Sequence, residues 1–189
     1  MSRGLKMASK WDKKLENLVV SVSINQRINL EQFARKAKDI EYDPDHFPGA
    51  IYRMKEPRVS ALIFSSGKVN CTGARHWDEI PIIVERLEKK FREGGLHPEN
   101  IESKVQNLVV SANLGYEVNI DVAATELDNV EYEPEQFPGL IFRVTEPKCV
   151  VLVFTSGKVN VVGAKQWEYI DQALAQVDKA LKEVSAVME

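Results

Sequence analysis

The chain contains the same segment twice, at an offset of 90 residues. Residues 41–77 read EYDPDHFPGAIYRMKEPRVSALIFSSGKVNCTGARHW, and residues 131–167 read EYEPEQFPGLIFRVTEPKCVVLVFTSGKVNVVGAKQW. The alignment extends upstream to Asn17 without a gap, and 27 of the 61 positions from Asn17 to Trp77 are identical to their partners. Two copies of this length predict two like units related by a pseudo-twofold axis and forming one continuous sheet. Such a protein suits a target that is itself roughly two-fold symmetric.

Composition predicts an ordinary globular protein. A chain of 189 residues with 44% hydrophobic and 28% charged residues can bury one good core or two small ones. The polar N-terminus predicts no secretory signal, and the longest apolar run, Val150 to Phe154, is too short to span a membrane. Cys71 and Cys149 are not equivalent in the repeats, which predicts two separate buried thiols in a reducing, intracellular compartment.

Positive charge is concentrated in the middle of each repeat. The net charge is −3, yet residues 47–75 sum to +4 and residues 137–165 sum to +3, which leaves −10 for the remainder. One interpretation is a solvated strand face that happens to favour Arg and Lys. The other is a basic binding surface, which the repetition at matched places favours.

Hydrophobic periodicity predicts an α+β fold in which helices cover one face of an antiparallel sheet. Strands are predicted at residues 18–24, 51–54, 59–64 and 68–72, with helix N-caps at Asn29 and Asn119. A helical stripe runs from Trp77 to Phe91 and ends at Gly94-Gly95, and its counterpart runs from Trp167 to Val184.

The face of the sheet opposite the helices is predicted to be apolar. Alternation along the strands separates two sets of side chains, and the set that faces away from the helices is rich in Phe, Leu and Val. Its members are Asn17, Val19, Leu62, Phe64 and Thr72, and in the second copy Asn107, Val109, Leu152, Phe154 and Val162. An open sheet face of this kind predicts that something covers it.

No motif for catalysis, phosphate binding or zinc binding occurs in the sequence, which predicts a non-enzymatic protein without metal or cofactor. His46, His76 and His97 are dispersed and fit surface turns. The acidic clusters that begin at Glu41 and Glu131 fit solvated turns, with a general acid/base pair as the alternative.

The motifs QNLVVSA, EYEPEQFPGLIFR, EPKCVVLVFTSGK and VVGAK, each with a counterpart in the first half, closely resemble the TATA-binding proteins. The resemblance covers about residues 15–181. It implies two repeats, residues 14–91 and 104–181 with a linker at about 94–103, that form one saddle-shaped curved antiparallel sheet with helices on the convex face. The acidic balance and the short N-terminal segment favour the archaeal type, in the cytoplasm with the nucleoid.

The resemblance also implies a function. The family acts as a general transcription initiation factor that binds the minor groove of AT-rich TATA-box DNA, bends it by inserting Phe side chains, and recruits transcription factor B and RNA polymerase. The alternative from another class is a duplicated sheet-and-helix module that binds a protein or a small ligand. Whether the free protein pairs with a second copy through its apolar face is left open.

Residue roles follow from the same resemblance. Phe47 with Phe64, and Phe137 with Phe154, would wedge between base steps. Asn17 and Asn107 would donate hydrogen bonds near the centre of the site. The side chains that would pack on the groove floor or exclude groups projecting from it are Val19, Leu62, Thr72, Val109 and Leu152. Those that would hold phosphates are Arg53, Arg58, Lys68, Arg75, Arg143, Lys148, Lys158 and Lys165. Glu133, Glu135 and Gln136 resemble the contact surface for transcription factor B.

Three positions on the expected DNA face depart from the family pattern. Val162 stands where a threonine matching Thr72 is usual, and Asn70 and Asn160 stand where valine is typical. Each amide needs a base, a phosphate or a water molecule as a partner once it is buried. These departures are expected to alter sequence preference. The changes after the Gly-Ala motif, His76-Trp77 and Gln166-Trp167, are expected to alter only the entry to each helix.

Overall fold

The computed structural model describes residues 9–188, which divide into two compact units. The first unit comprises residues 17–107, and the second comprises residues 108–188 together with the described residues up to 16. Each unit has an antiparallel sheet with helices packed on one face, so the predicted α+β class with two repeats is confirmed. The segment on which the absence of a secretory signal was predicted lies largely in residues 1–8, outside the described residues.

The first unit follows the predicted order of elements. Its elements are β1 (Lys13–Ser23), α1 (Leu30–Lys36), β2 (Ile40–Glu41), β3 (Ala50–Met54), β4 (Val59–Ile63), β5 (Lys68–Ala74) and α2 (Glu79–Glu93). The first four residues of β1 are counted with the second unit. The strands of the sheet lie in the order β2-β3-β4-β5-β1. Strands β2, β3 and β4 therefore each pair with the next strand in the chain, and β1 pairs with β5.

The second unit repeats this arrangement and adds a short strand pair. Its elements are β6 (Glu102–Asn113), β7 (Glu117–Val118), α3 (Ile120–Glu126), β8 (Val130–Glu131), β9 (Leu140–Val144), β10 (Cys149–Val153), β11 (Lys158–Ala164), α4 (Trp167–Glu183) and β12 (Val187–Met188). The first six residues of β6 are counted with the first unit. The sheet order is β8-β9-β10-β11-β6, and β12 pairs separately with β7.

The helices begin and end where the sequence predicts stop and start signals, with one exception described below. The side-chain oxygen of Asn29 accepts a hydrogen bond from the Gln32 backbone amide at 3.1 Å, and Asn119 accepts one from Val122 at 3.2 Å. Both asparagines are therefore N-caps, as predicted. Helix α2 ends at Glu93 with Gly94 as its C-cap, and Gly95 follows with φ +82°, a left-handed conformation that glycine adopts without steric cost.

The core of each unit lies between its sheet and its helices. Leu18, Val20 and Val22 alternate along β1 and are buried, as predicted. Ile83, Leu87 and Phe91 supply the buried stripe of α2. Five apolar side chains of α4 do the same in the second unit: Ile170, Ala173, Leu174, Val177 and Leu181. Because the helices of each unit pack on one side of its sheet, the other side of the sheet is left open.

The prediction that Trp77 belongs to the buried stripe of α2 is wrong. The helix begins at Glu79, and Trp77 is 41% exposed. The Glu79 carboxylate accepts hydrogen bonds from the backbone amides of Arg75 at 2.7 Å and His76 at 3.1 Å, which fixes the chain outside the helix at these residues. In the second repeat, Tyr169 replaces Glu79 and supplies no carboxylate. Helix α4 begins at Trp167, the residue equivalent to Trp77, two positions earlier in the repeat than α2 does.

The two thiols are buried, as predicted. Burial raises the pKa of Cys71 to about 12 and that of Cys149 to about 11, because the thiolate would be separated from water. Both are therefore protonated thiols at neutral pH. Among residues 9–188, no cluster of His, Cys, Asp and Glu side chains could hold a metal ion. No helix within the same range is long and apolar enough to cross a membrane.

Candidate nucleic-acid interface

The open face of the first unit is apolar, as the alternation predicts. Val59, Ala61 and Ile63 of β4 are buried against the helices, whereas Leu62 and Phe64 point to the open side and are half-buried. Across the strand pairs, Leu62 lies opposite Asn70 of β5, and Val19 of β1 lies opposite Thr72. Since directly opposite residues of antiparallel strands project to the same side, these side chains form one continuous surface.

The second unit presents the same surface. Val109 lies opposite Val162, and Leu152 lies opposite Asn160. Val109, Leu152 and Val162 are all half-buried, and none of the three carries a polar group in its side chain. The sequence-predicted residues of each repeat are thus brought together on one face of their own unit.

A pair of phenylalanine rings stands at the end of each open face. The rings of Phe47 and Phe64 are 5.9 Å apart between centroids, at an interplanar angle of 61°. Phe137 and Phe154 are 5.8 Å apart at 65°. Both are edge-to-face pairs with half-buried rings, a geometry that aromatic quadrupoles favour. The match between the two pairs shows that the repeat preserves the arrangement of the rings as well as the residue types.

A glycine provides the room for each ring pair. A Cβ atom on Gly139 would approach Cε1 of Phe137 to 2.7 Å and Cε1 of Phe154 to 3.1 Å. The corresponding distances at Gly49 are 2.8 Å to Phe47 and 3.3 Å to Phe64. Any larger residue would therefore displace at least one ring. The glycine of each Phe-Pro-Gly segment therefore sets the position of both rings.

Asn17 is held in one amide orientation. Its Oδ1 accepts a hydrogen bond from the backbone amide of Gly73 at 3.1 Å. Gly73 has φ +112°, and the pairing of β1 with β5 shifts register just before Val19, which brings this amide to the side chain. With Oδ1 occupied, the Nδ2 group of Asn17 remains as the hydrogen-bond donor available to a ligand. Asn107 occupies the equivalent position and is half-buried.

A polar contact flanks each apolar surface, and the two units differ in its charge. In the first unit, Gln106 Nε2 donates to the Ser21 hydroxyl at 2.8 Å. In the second unit, the Ser111 hydroxyl donates to the Glu16 carboxylate at 2.7 Å. Gln106 and Glu16 are equivalent in the repeat, so a carboxylate replaces an amide at this one place. Sequence reasoning did not identify these residues, although the 90-residue offset pairs them.

The eight predicted phosphate-binding residues are all exposed, and two of them are engaged by carboxylates. Arg53 lies 3.3 Å from Glu41, and Arg143 donates to both oxygens of Glu131 at 3.0 and 3.2 Å. The hydrogen bonds from Arg143 and its charge lower the pKa of Glu131, and those to Glu131 raise the pKa of Arg143. The other six have no carboxylate within 4.0 Å among residues 9–188: Arg58, Lys68, Arg75, Lys148, Lys158 and Lys165.

The two acidic turns have the same backbone hydrogen bonds and differ in their side-chain contacts: in the first turn, the carbonyl oxygen of Asp43 accepts the backbone amides of His46 and Phe47 at 3.2 and 3.0 Å. Asp43 lies 2.7 Å from His46 Nδ1 and accepts a hydrogen bond from the backbone amide of Asp45 at 3.2 Å. In the second turn, Glu133 receives the backbone amides of Gln136 and Phe137 on its carbonyl oxygen, both at 2.9 Å, while the side chains of Glu133 and Gln136 project from the surface. A general acid/base role has no support, because these carboxylates lie in exposed turns.

Two isoleucines were missed by sequence reasoning. Ile51 of β3 lies opposite Leu62, and Ile141 of β9 lies opposite Leu152, so both are on the open faces. Ala50 and Met54 are the buried residues of β3, and this alternation could have placed Ile51 on the opposite side. The signal was weak because β3 is short and its apolar residues occupy both faces.

The family model for "Transcription factor TFIID (or TATA-binding protein, TBP)" matches residues 12–93 and 102–184. The chain belongs to the TATA-binding protein family. It is 45% identical over 172 residues to the TATA-box-binding protein of Methanocaldococcus jannaschii, and the aligned residues make up 90% of this chain and 94% of the relative. The relative in Aeropyrum pernix is 40% identical over 186 residues, or 98% of this chain and 92% of its own length.

Solved structures agree with the sequence relatives. The TATA-binding protein structure described as Methanococcus jannaschii TBP has a TM-score of 0.84 and 44% identity, and covers 91% of this chain and 99% of that one. The chain is therefore a TATA-box-binding transcription initiation factor of a non-enzymatic family with archaeal relatives. The alternative of an unrelated ligand-binding module is accordingly dropped.

Proposed function

We propose that the open faces bind the minor groove of AT-rich promoter DNA and bend the duplex by inserting the two phenylalanine pairs between base steps. The observation that carries this proposal is the occurrence of two matched edge-to-face Phe pairs on half-buried apolar faces. The TATA-binding proteins are themselves a standard example of minor-groove binders that insert apolar wedges. Unstacking a base step costs a few kcal/mol, which the larger contact area with bent DNA offsets.

An apolar face suits the minor groove better than the major groove. In the minor groove, A·T and T·A pairs both present only the acceptors N3 and O2, so hydrogen bonds carry little sequence information there. Discrimination then comes from shape and deformability. Valine and leucine side chains can pack against a groove floor that lacks projecting groups, and the fixed Nδ2 donor of Asn17 can meet one of its acceptors.

The proposed DNA-contacting residues are those predicted from the sequence, with Ile51 and Ile141 added. Among the basic residues, Lys68 and Lys158 begin β5 and β11 and have no carboxylate partner among residues 9–188, so we expect full phosphate contacts from them. Arg53 and Arg143 already share their charge with Glu41 and Glu131, and we expect a smaller contribution from these two.

The wedge role can be separated from folding by truncation. Phe154→Ala and Phe64→Ala remove half-buried rings and should lower the unfolding free energy by less than about 1.5 kcal/mol, whereas the buried Phe91→Ala should cost about 3–5 kcal/mol. In an energy-transfer assay on a labelled AT-rich duplex, the first two variants should reduce bending strongly, with Phe91→Ala as the stability control.

The opposite pattern would overturn this assignment. If Phe154→Ala unfolds at a much lower temperature but bends DNA as the wild type does, its ring belongs to the core and is not a wedge. An equal affinity of the wild type for AT-rich and GC-rich duplexes would overturn the proposal of TATA-box recognition through the minor groove.

The second acidic turn is the proposed docking site for transcription factor B, through Glu133, Glu135 and Gln136. In the first turn, Asp43 is already paired with His46. In the second turn, Gln136 replaces that histidine, so the carboxylates have no charged partner among residues 9–188 and can meet a basic partner. Glu133→Ala with Glu135→Ala should weaken the ternary complex with transcription factor B and DNA without weakening DNA binding. Asp43→Ala with Asp45→Ala is the matched control.

Bound at a promoter with transcription factor B, the protein would recruit RNA polymerase, and its archaeal relatives support action in an archaeal cytoplasm on nucleoid DNA. Residues 14–91 and 104–181 would act as the two DNA-binding halves, joined at residues 94–103. In vitro transcription from a TATA-box template, with purified archaeal polymerase and transcription factor B, tests recruitment directly.

A further inference from the structure

Each open face carries one primary amide whose side chain has no hydrogen-bond partner among residues 9–188. Asn70 of β5 is exposed and Asn160 of β11 is half-buried. Neither side chain hydrogen-bonds to another described residue. The amide of Asn17 differs, because Gly73 occupies its oxygen and fixes its orientation. The amides of Asn70 and Asn160 are therefore free to present either the oxygen or the NH₂ group to a ligand.

The neighbours of these amides define what a ligand would meet. Asn70 lies opposite Leu62 on one side and opposite Ser21 on the other, so the amide stands at the border between an apolar row and a hydroxyl. Asn160 has the same two neighbours in the second unit, Leu152 and Ser111. When a ligand covers either face, an amide that finds no partner loses its water and destabilises the complex.

The base pair that such an amide recognises follows from minor-groove chemistry. A·T and T·A pairs offer acceptors only, whereas a G·C pair adds the guanine N2 amino group, which is a donor. An apolar side chain rejects that group, because its N–H would be buried without a partner. An amide that can turn donates through Nδ2 to the acceptors or accepts the guanine amino group through Oδ1.

We propose that Asn70 and Asn160 are base-reading residues, each of which lets its half of the protein accept a G·C pair at one position of an otherwise AT-rich site. This inference rests on the proposed binding of these faces to the minor groove. In this role, Asn70 and Asn160 determine which base pair is accepted. Phosphate contact or packing alone would not make binding depend on the base pair.

The experiment compares A·T, G·C and inosine·C pairs, introduced one position at a time into an AT-rich duplex. Inosine lacks the N2 amino group, so a G·C to inosine·C affinity ratio isolates that group. For the wild type, we expect the affinities for the G·C and inosine·C duplexes to agree within about threefold at one position in each half. At the other positions, the G·C duplex should bind about five- to 150-fold more weakly than the inosine·C duplex. Leucine is similar in size to asparagine but has no polar atoms. In Asn70→Leu and Asn160→Leu, the G·C duplex should therefore bind more weakly than the inosine·C duplex at the position that the substituted residue contacts.

Asn160→Asp provides a second readout, because it keeps the acceptor and removes the donor. It should bind the G·C duplex better than the A·T duplex at the same position, and thermal unfolding of each free variant shows whether its fold is intact. Unchanged G·C to inosine·C ratios in both leucine variants would overturn this inference, while AT-selective binding and bending by the wild type would still support the proposed function. Loss of AT selectivity in the wild type would overturn both.

Discussion

The side-chain oxygen of Asn17 accepts a hydrogen bond from the backbone amide of Gly73, 3.1 Å away on the neighbouring strand. This contact decides which end of the amide faces outward. Because the oxygen is occupied, the NH₂ group is the one presented to the open face, where the acceptors N3 and O2 of the minor groove require a donor.

The first prediction tests this orientation with two substitutions. Asn17→Asp keeps an oxygen for the Gly73 amide but places the other carboxylate oxygen against groove acceptors, so the variant should bind an AT-rich duplex about tenfold or more weakly than Asn17→Ala does. Equilibrium titration at one fixed salt concentration measures both. If Asn17→Asp binds as well as Asn17→Ala, the side chain does not face a base acceptor.

The second prediction concerns the basic residues. Each lost phosphate contact should reduce the slope of log affinity against log salt by about 0.9. We expect that reduction for Lys68→Ala and Lys158→Ala, with similar losses on AT-rich and GC-rich duplexes. Arg143→Ala should reduce the slope less, since Glu131 already engages the guanidinium. Titrations at several salt concentrations measure the slopes, and unchanged slopes for both lysine variants would remove those residues from the DNA path.

The third prediction concerns the glycine behind the second ring pair. Gly139→Ala brings a methyl group to 2.7 Å from the Phe137 ring, so the ring must move. Because that ring is half-buried, it can rotate toward solvent, and the unfolding temperature should change little while DNA bending falls. Gln136→Ala, in the same turn, is the control and should bend DNA normally. A Gly139→Ala protein with full bending would show that ring position does not determine the bend.

The fourth prediction concerns a network that fastens the N-terminal segment to α4. Asp178 is 8% exposed and accepts hydrogen bonds from Lys10 at 2.8 Å, Lys182 at 2.9 Å and Tyr116 at 2.8 Å. Burial raises the pKa of Asp178, but these hydrogen bonds outweigh it and the pKa is lowered. Asp178→Asn should destabilise the protein by about 1–2 kcal/mol at pH 7, a modest value because both lysines are largely exposed.

The sign of the pH dependence follows from the lowered pKa. A carboxyl with a lower pKa in the folded state stabilises the protein fully above its unfolded value, about 3.9, and loses this effect as the pH falls through the folded value. The difference in unfolding temperature between wild type and Asp178→Asn should therefore be constant above about pH 5 and shrink below about pH 4. A difference that persists unchanged at pH 2.5 would mean that charge is not its cause.

Part of this structure is determined by the sequence because the physical causes are local. The period of two along β1 and β4 predicts which of their side chains are buried, and the short polar side chains of Asn29 and Asn119 predict the caps of α1 and α3. The 90-residue repeat then predicts that both open faces have the same construction. The family resemblance supplied the roles of the residues on them.

Only the tertiary structure decided the contacts between residues distant in the chain. Residues 9–16 pack with the second repeat, where Lys13 forms a 2.6 Å ion pair with Asp171, although they adjoin the first repeat in sequence. Trp77 lies outside its helix because Glu79 engages two backbone amides, a competition that hydrophobic periodicity does not register. The amide orientation of Asn17 likewise depends on the pairing register of β1 with β5, and periodicity reports only the face to which a side chain points.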